Sequence, residues 1–413
     1  MNFIFVSPHF PKTYWNFCDR LHRNGVNVLG IGDAPFDEIP WELKQCLTEY
    51  YRVNDLGNYD EMLRAVAYFT FHYGKIDWIE SNNEYWLEMD AQLRTDFNIN
   101  TGAKNDFIER IKYKSKMKES YIAAGVPVAR YHIVSTLAEA RAFIKEVGYP
   151  VIVKPVDSSG SKGATVLRSA DGLERAAEFA FSFSRCHRIV IEEFVEQKHP
   201  FLIGGDVFVK DGKIVLWGLL NCHRDPRVNP LVPVGKSYPL RLEAGDIRRV
   251  KDTLSAMVEK LGIRNGPMNV ELIVDKENRV FLIDVGPRSG GNMIPELLGD
   301  LFGVNAAEMS IEAAMGLSIH SGFHAPTGFY ATHNLHSERS GIYQGVRFAP
   351  ELERYIYRKC LYKKPGDAVE FFDNASKCLG IVFMKFPSAE EMQRYLDDIS
   401  RYITVEVRGS EHE

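Results

Sequence analysis

Residues 151–163 read VIVKPVDSSGSKG. The β-branched run Val151-Ile152-Val153 predicts a strand. It ends at Lys154 and runs into a loop of small residues: Ser158, Ser159, Gly160, Ser161, Lys162 and Gly163. Gly160 and Gly163 allow the backbone to turn its N–H groups inward as an anion nest, and Lys154 and Lys162 add positive charge suited to a polyphosphate. A lysine-tipped hairpin turn accounts for the same stretch without any ligand. The surrounding sequence must decide between the two.

Working outward, strand and helix patterns alternate. YHIV (131–134), a helix over Leu137 to Val147, ATVLR (164–168), a helix over Gly172 to Phe183 and RIVIEEFV (188–195) surround the loop. FLIGGDVFVK and KIVLWGLL follow, joined at Asp211-Gly212, the strongest hairpin signal in the chain. A helix from Asp246 to Leu261 leads to NVELIVD and RVFLIDV. Toward the N-terminus, NFIFVS, VNVLGIG and IDWIES alternate with helical spacing and predict a βαβ-type opening unit. Gly30 and Gly32 lack the third glycine of a dinucleotide fingerprint, which argues against a nicotinamide or flavin site. One long helix is expected from Asn105 to Ala124, stopped by Gly125 and Pro127. Beyond residue 330 the chain carries its own strands and helices and a turn at Lys364-Pro365-Gly366-Asp367.

The 413 residues are enough for two to four units with ample core. A net charge of −5, with acidic and basic residues interspersed, gives no reason to expect nucleic acid or an anionic membrane as partner. Six scattered cysteines without a Cys-x-x-Cys pair suggest neither a zinc ribbon nor a disulfide framework. The opening MNFIFVSPHF is too short an apolar run for a signal peptide, and no stretch approaches about 20 apolar residues, so a cytoplasmic chain is expected.

A second constellation lies near residue 280. If Asp275 pairs with Val280 across Lys276 to Arg279, counting back sets Glu271 opposite Asp284, with Cβ atoms about 4.5–5.5 Å apart. Two such carboxylates repel unless a cation lies between them, and their hard oxygens beside phosphate suit Mg²⁺. A register one residue off would leave both acids in solvent. The basic run Arg110 to Lys118 divides on a helix into the stripes Arg110/Lys114/Lys118 and Lys112/Lys116, a solvated face for most of these lysines. In the segment Asn221 to Pro230, placed between a strand and the next helix, Arg224 or Arg227 could grip a carboxylate, and an exposed salt-bridge loop fits equally. His320/His324 and His333/His336 lack a third ligand nearby and read as ordinary histidines; Asp206 on GGDVFV can face either side of its strand.

Taken in order, these motifs resemble the ATP-grasp superfamily, in its carboxylate–amine ligase type, as in the carbamoyl-phosphate synthase large subunit and biotin carboxylase. Lys114, eleven residues before Gly125-Val126-Pro127, matches the family's first nucleotide lysine, and Lys154 matches the second. Ser158 to Gly163 resembles its phosphate-covering loop. Glu192, Glu193, Phe194 and Val195 match the hinge that holds adenine, and Glu271, Asp284 and Arg288 match the metal acids and the phosphate arginine. The chain departs from the pattern at Gly286, where the family has a metal-binding Asn; Asn292 is the substitute ligand, or phosphate and water take a larger share. At the ribose the contact lies open between Glu196 and His199.

The resemblance implies an α/β fold, α+β in its ATP-grasp part. It comprises an N-terminal Rossmann-like pre-ATP-grasp domain (1–103), a two-lobed ATP-grasp domain (104–330, flexible lobe about 125–195) and a small C-terminal closing domain (331–413). It implies ATP and Mg²⁺ as cofactors, with Mn²⁺ as a substitute, and small carboxylate and amine substrates. A homodimer is compatible with it. Lys114 and Lys154 would hold α- and β-phosphates, and Arg288 the acyl phosphate formed when the γ-phosphoryl group passes to a carboxylate. The alternatives are an ATP-grasp kinase that stops at a phosphorylated product, and a nucleotide-binding regulatory module without turnover.

Overall fold

The computed structural model describes residues 1–157, 162–303, 305–316 and 324–409, with the side chains of Lys114 and Ser115 excepted. Ser158, Ser159, Gly160, Ser161 and His320, and the side chain of Lys114, therefore lie outside the described residues. The first unit is a parallel sheet with strand order Glu49–Arg52, Asn27–Gly32, Asn2–Val6, Trp78–Glu80. Its alternating side chains fill two cores. Ile4, Val6, Leu29 and Ile31 pack with Met62, Ala65, Val66 and Phe69 of the helix Tyr59–Tyr73; Phe3, Phe5 and Val28 pack with Cys18 and Leu21 of the helix Trp15–Arg23. A parallel sheet needs both faces covered, and here both are.

The loop of interest begins inside a small antiparallel lobe ordered Tyr131–Val134, Ile189–Glu193, Val151–Pro155, Thr165–Leu167. Helices Leu137–Val147 and Leu173–Ser182 cover one face, burying Ala140, Ile144, Leu173, Ala176, Ala177 and Ala180 against Val151, Val153, Ile189 and Ile191. The first helix is closed by a capping box between Thr136 and Glu139.

The third body is an eight-stranded sheet running Val280–Gly286, Gly266–Val274, Leu202–Lys210, Lys213–Arg224, Pro233–Tyr238, Phe329–Leu335, Gly380–Phe386, Ile356–Leu361, every neighbour antiparallel. Asp211 and Gly212 both take positive φ (49° and 79°), the geometry a two-residue hairpin requires. Val270, Leu272 and Val274 meet Val250, Leu254, Met257 and Val258 of the helix Ala244–Leu261, which leaves Asn269, Glu271 and Ile273 on the other face. Residues 331 to 413, expected as a closing unit, continue this sheet through Phe329–Leu335 and add a three-stranded layer of Ala368–Val369, Gly341–Phe348 and Ile403–Arg408.

Two elements differ from expectation. The helix expected over 105–124 is two helices, Asn105–Lys112 and Lys114–Ala123, because Tyr113 has extended backbone (φ −87°, ψ 123°). Lys112 and the Tyr113 hydroxyl both reach Glu88 of the first unit, a tertiary contact that fixes the break. The segment Asn221 to Pro230, expected between a strand and the next helix, is strand through Arg224 and loop from Asp225, and it leads first to a further strand, Pro233–Tyr238, that returns beside the one it left.

Candidate active site

The hairpin that carries the two acids closes at Val274–Val280, one residue away from the expected pairing. A bulge at Ile283 then skips one residue, so that Glu271 comes to face Asp284 after all. Both acids line a cavity of about 240 Å³ between the lobe and the central sheet. Lys154, Lys162, Glu192, Glu193, Phe194, Val195, Arg224, Asn269 and Arg288 line it too. Nine of the site residues expected from the sequence, Lys154, Lys162, Glu192, Glu193, Phe194, Val195, Glu271, Asp284 and Arg288, thus line one cavity.

On the lobe side Glu192 is 5% exposed and lies between two lysines, Lys118 Nζ at 2.9 Å from Oε1 and Lys154 Nζ at 2.6 Å from Oε2. Burial pushes this carboxyl up, but the two ammonium groups outweigh it and hold the pKa down at about 2. Lys118 was not among the expected nucleotide residues. Its sequence signal was membership of the Arg110/Lys114/Lys118 stripe, and the break at Tyr113 resets that helix. In the hinge the N–H groups of Glu193 and Phe194 donate to the Arg130 and Pro150 carbonyls (2.9 and 3.1 Å); that of Val195 has no partner among the described residues.

The loop is anchored where it is described. Asp157 accepts from the backbone N–H groups of Arg185 and Cys186, both at 3.1 Å. Gly163 has φ +73°, and a Cβ there would lie 2.8 Å from the Pro155 ring. Only glycine fits both the angle and the space.

On the sheet side Asn269 donates its amide to the Gly205 carbonyl (3.1 Å) and to Asp206 (2.8 Å), which orients its own carbonyl oxygen away from them. Asp206, buried, also accepts the Gly290 N–H, and burial raises its pKa to about 6 against those donors. It faces the loop that carries Arg288. That loop is clamped from the first unit: Arg288 Nε donates to Glu84 at 2.9 Å and the Ser289 N–H donates to Asn82 at 2.8 Å. Burial alone would lower the Arg288 pKa, but Glu84, Tyr14 and Asp284 raise it, so the guanidinium stays charged.

Other expected residues stand elsewhere. Glu196 pairs with Lys276 at 2.6 Å near the surface. Both nitrogens of His199 are engaged, Nδ1 with the Phe201 carbonyl and Nε2 accepting the Val274 N–H at 3.0 Å. Asn292, at φ 53°, precedes the helix Ile294–Phe302 and does not line the cavity. Arg227 is tied to Asp225 (2.6 Å) and Glu338 (2.8 Å), whereas Arg224 lines the cavity with a buried Nε that has no hydrogen-bond partner among the described residues. The salt-bridge reading therefore fits Arg227, and the ligand reading fits Arg224. Among the described residues no three His, Cys, Asp or Glu side chains gather as a metal site. Glu271 and Asp284 nonetheless suit Mg²⁺, which commonly takes one or two carboxylates and completes its shell with phosphate and water.

A second cavity of about 860 Å³ lies between the first unit and the lobe, lined by His9, Asp33, Glu84, Tyr85, Glu88, Asp157, Arg185 and others. Lys162 and Asp284 line both cavities.

The sequence model of the family described as carbamoyl-phosphate synthase L chain, ATP binding domain, matches residues 110–319, over half of the chain. The chain belongs to this ATP-grasp family. Among curated relatives, the uncharacterized protein y4rH of Sinorhizobium fredii is 28% identical over 310 residues, 74% of this chain and 61% of that protein. This ATP-grasp chain thus spans less than two thirds of that relative's length. Two solved structures share the fold along nearly all of it. L-amino acid ligase from Bacillus licheniformis superposes with a TM-score of 0.80 at 17% identity, covering 99% of each chain. The biotin carboxylase domain dimer of Hydrogenobacter thermophilus 2-oxoglutarate carboxylase, crystallised with MgADP, ADP and bicarbonate, gives 0.70 at 17% identity, covering 98% of this chain and 90% of that one. Among the described residues no helix of the ATP-grasp chain is long and apolar enough to cross a membrane.

Proposed function

We propose that the protein is an ADP-forming carboxylate–amine ligase that activates a small acid as an acyl phosphate and joins it to an amine, an amino acid being the favoured class. The observation that carries this reading is that two cavities share Lys162 and Asp284 in their linings, the smaller suited to a nucleotide and the roomier to a substrate. In the chamber, the Val195 N–H, which has no partner among the described residues, suits an adenine edge and Lys154 the phosphates. Lys114 and the loop from Ser158 to Gly163 are proposed beside them, as the family pattern places them. Glu271 and Asp284 would hold Mg²⁺, with the Asn269 carbonyl oxygen a better placed third donor than Asn292. Bound there, the ion would offset phosphate charge.

A carboxylate oxygen of the acid attacks the γ-phosphorus, the bond to the β-phosphate bridging oxygen breaks, and ADP leaves. Arg288, held charged by Glu84, stabilises the charge on the transferring group. The amine nitrogen then attacks the acyl carbon, phosphate departs, and the nitrogen gives up its proton. The cleft is lined by acids, Asp33, Glu84, Glu88 and Asp157, and by bases, Lys112, Lys162 and Arg185, a mixed lining that suits a zwitterion such as an amino acid. Arg224 is the group suited to the acid's carboxylate.

The test is turnover of ATP and Mg²⁺ with a panel of amino acids, with hydroxylamine added to trap the acyl phosphate. ADP, phosphate and a hydroxamate are expected, and Arg288→Ala should abolish the hydroxamate while ATP still binds. AMP and pyrophosphate, or a fully active Arg288→Ala enzyme, would overturn the mechanism. A stable phosphorylated product without hydroxamate would make the protein a kinase.

A further inference from the structure

The strand Phe329–Leu335 carries a histidine whose ring binds nothing. His333 is 7% exposed, and neither of its ring nitrogens has a hydrogen-bond partner among the described residues. Neither nitrogen is sealed off by protein, and the residue lines a third cavity, of about 440 Å³. A buried polar group in this state costs stability unless water or a ligand takes it up.

This cavity lies apart from the nucleotide chamber. His333 pairs with Gly235 and Gly235 with His223, so both histidines stand on one face of the eight-stranded sheet. Arg224, next to His223 in its strand, lines the chamber on the opposite face. Three separate segments wall the cavity: Arg227 from the loop after Arg224, Ser337 to Arg339 from the segment after Phe329–Leu335, and Ile403 to Val405 from the closing layer.

Much of the polar lining is already engaged within the chain. Arg227 bridges Asp225 (2.6 Å) and Glu338 (2.8 Å), and Glu338 is the one carboxylate in the described lining. His336 has the Asn334 carbonyl at 2.7 Å from Nδ1 and Asp225 at 3.2 Å from Nε2. Two groups are left over. The Arg339 guanidinium reaches the Val407 carbonyl and has no carboxylate partner among the described residues. His333 is the other, and burial, chiefly, holds its pKa well below the usual histidine range, so the ring is neutral and offers one N–H and one free lone pair. A positive charge, a donor and an acceptor therefore stand open in one cavity.

We propose that this cavity is a binding site for a small hydroxylated oxyanion, a phosphate or a hydroxy acid. Arg339 meets the charge of the anion, the His333 N–H donates to one of its oxygens, and the bare His333 nitrogen accepts an O–H of the ligand. A ligand held by both residues ties the closing layer to the central sheet. The site goes beyond the ligase reading and does not rest on it.

The experiment is isothermal titration of the full chain, with ADP present to fill the chamber, using inorganic phosphate and malate as probes. At least one should bind and should raise the melting temperature with its concentration. Binding of phosphate alone points to a phosphorylated ligand, and binding of malate alone to a hydroxy acid. Arg339 is exposed, so Arg339→Gln should fold as the wild type does and weaken binding by roughly tenfold or more, the loss of a charge-assisted hydrogen bond. His333→Leu, checked for folding by thermal melting, should weaken it too. Arg288→Ala is the control for the chamber and should leave this binding unchanged. Three results overturn the proposal: neither probe binds at millimolar concentration, Arg339→Gln binds as the wild type does, or binding is lost in Arg288→Ala and kept in Arg339→Gln. The last would put the anion in the chamber and leave the ligase reading standing, while failure of the hydroxamate test would leave the present site untouched.

Discussion

Two walls of one cavity carry carboxylates, buried on one and half-buried on the other, and the protein treats them differently. On the lobe wall Glu192 lies between Lys118 and Lys154, each within 3 Å, so the carboxylate has two cationic partners from the chain itself. On the sheet wall Glu271 faces a second acid, Asp284. The first arrangement is closed within the chain, which supplies both cations, and it holds the lobe strand Ile189–Glu193 to the helix Lys114–Ala123. The second is open to the cavity, two acids face to face, and suits an ion that arrives with a ligand. A carboxylate held between two cations of the chain ties elements together, whereas two carboxylates brought face to face on a cavity wall are suited to binding a cation.

The largest effect should come from breaking the closed cluster. Glu192→Ala leaves two buried ammonium groups without their anion and is expected to cost about 3–5 kcal/mol, read as a fall in the urea midpoint. The same cluster predicts a pH dependence. Glu192 titrates at about 2 in the folded state against an ordinary 4.5, so the folded pKa is depressed. Its contribution, roughly 3 kcal/mol, is fully present above pH 4.5 and is lost as pH falls toward 2. Glu192→Gln should remove the part of the acid-induced loss of stability that falls in that window. If variant and wild type weaken in parallel between pH 5 and pH 3, the carboxylate is not held by the two lysines.

This asymmetry was only partly legible in the sequence. The lobe strands, the helix Leu137–Val147 and the Asp211-Gly212 hairpin follow from local pattern, because periodicity and turn chemistry act over a few residues. The facing of Glu271 and Asp284 was anticipated through a pairing one residue off at the turn, which the bulge at Ile283 made good; a bulge leaves no sign in a β-branched run. The grip of Glu84 on Arg288 spans 204 positions and has no local signal. Lys118 was hidden for a related reason. Its burial depends on the helix break at Tyr113, and that break depends on Glu88 in another unit.

A smaller effect is expected at the open cluster. Asp284→Asn removes one of two facing charges, so stability without ligand should shift by no more than about 1 kcal/mol. What should disappear is the metal-linked part of the response: MgADP should raise the wild-type melting temperature more than ADP with chelator, and the variant should show nearly equal shifts. Equal shifts already in the wild type would show that the acids do not share an ion.

The smallest effect sharpens the comparison most. Lys116 and Lys118 lie two residues apart in the same helix, and composition or charge patterning cannot rank them. The structure can. Lys116 is half exposed and pairs with Glu119 at 3.0 Å on the helix surface, while Lys118 is buried against Glu192. An exposed pair of this kind contributes little, so Lys116→Ala should change stability by less than about 0.5 kcal/mol. Lys118→Met leaves Glu192 with Lys154 alone and should cost about 1–3 kcal/mol, the range for losing a charged hydrogen bond in a buried site. Urea melts of the two variants at pH 7 give the comparison directly. If the two costs are equal, Lys118 is solvated in solution, the cluster around Glu192 is not closed, and the contrast between the two walls fails at its better supported end.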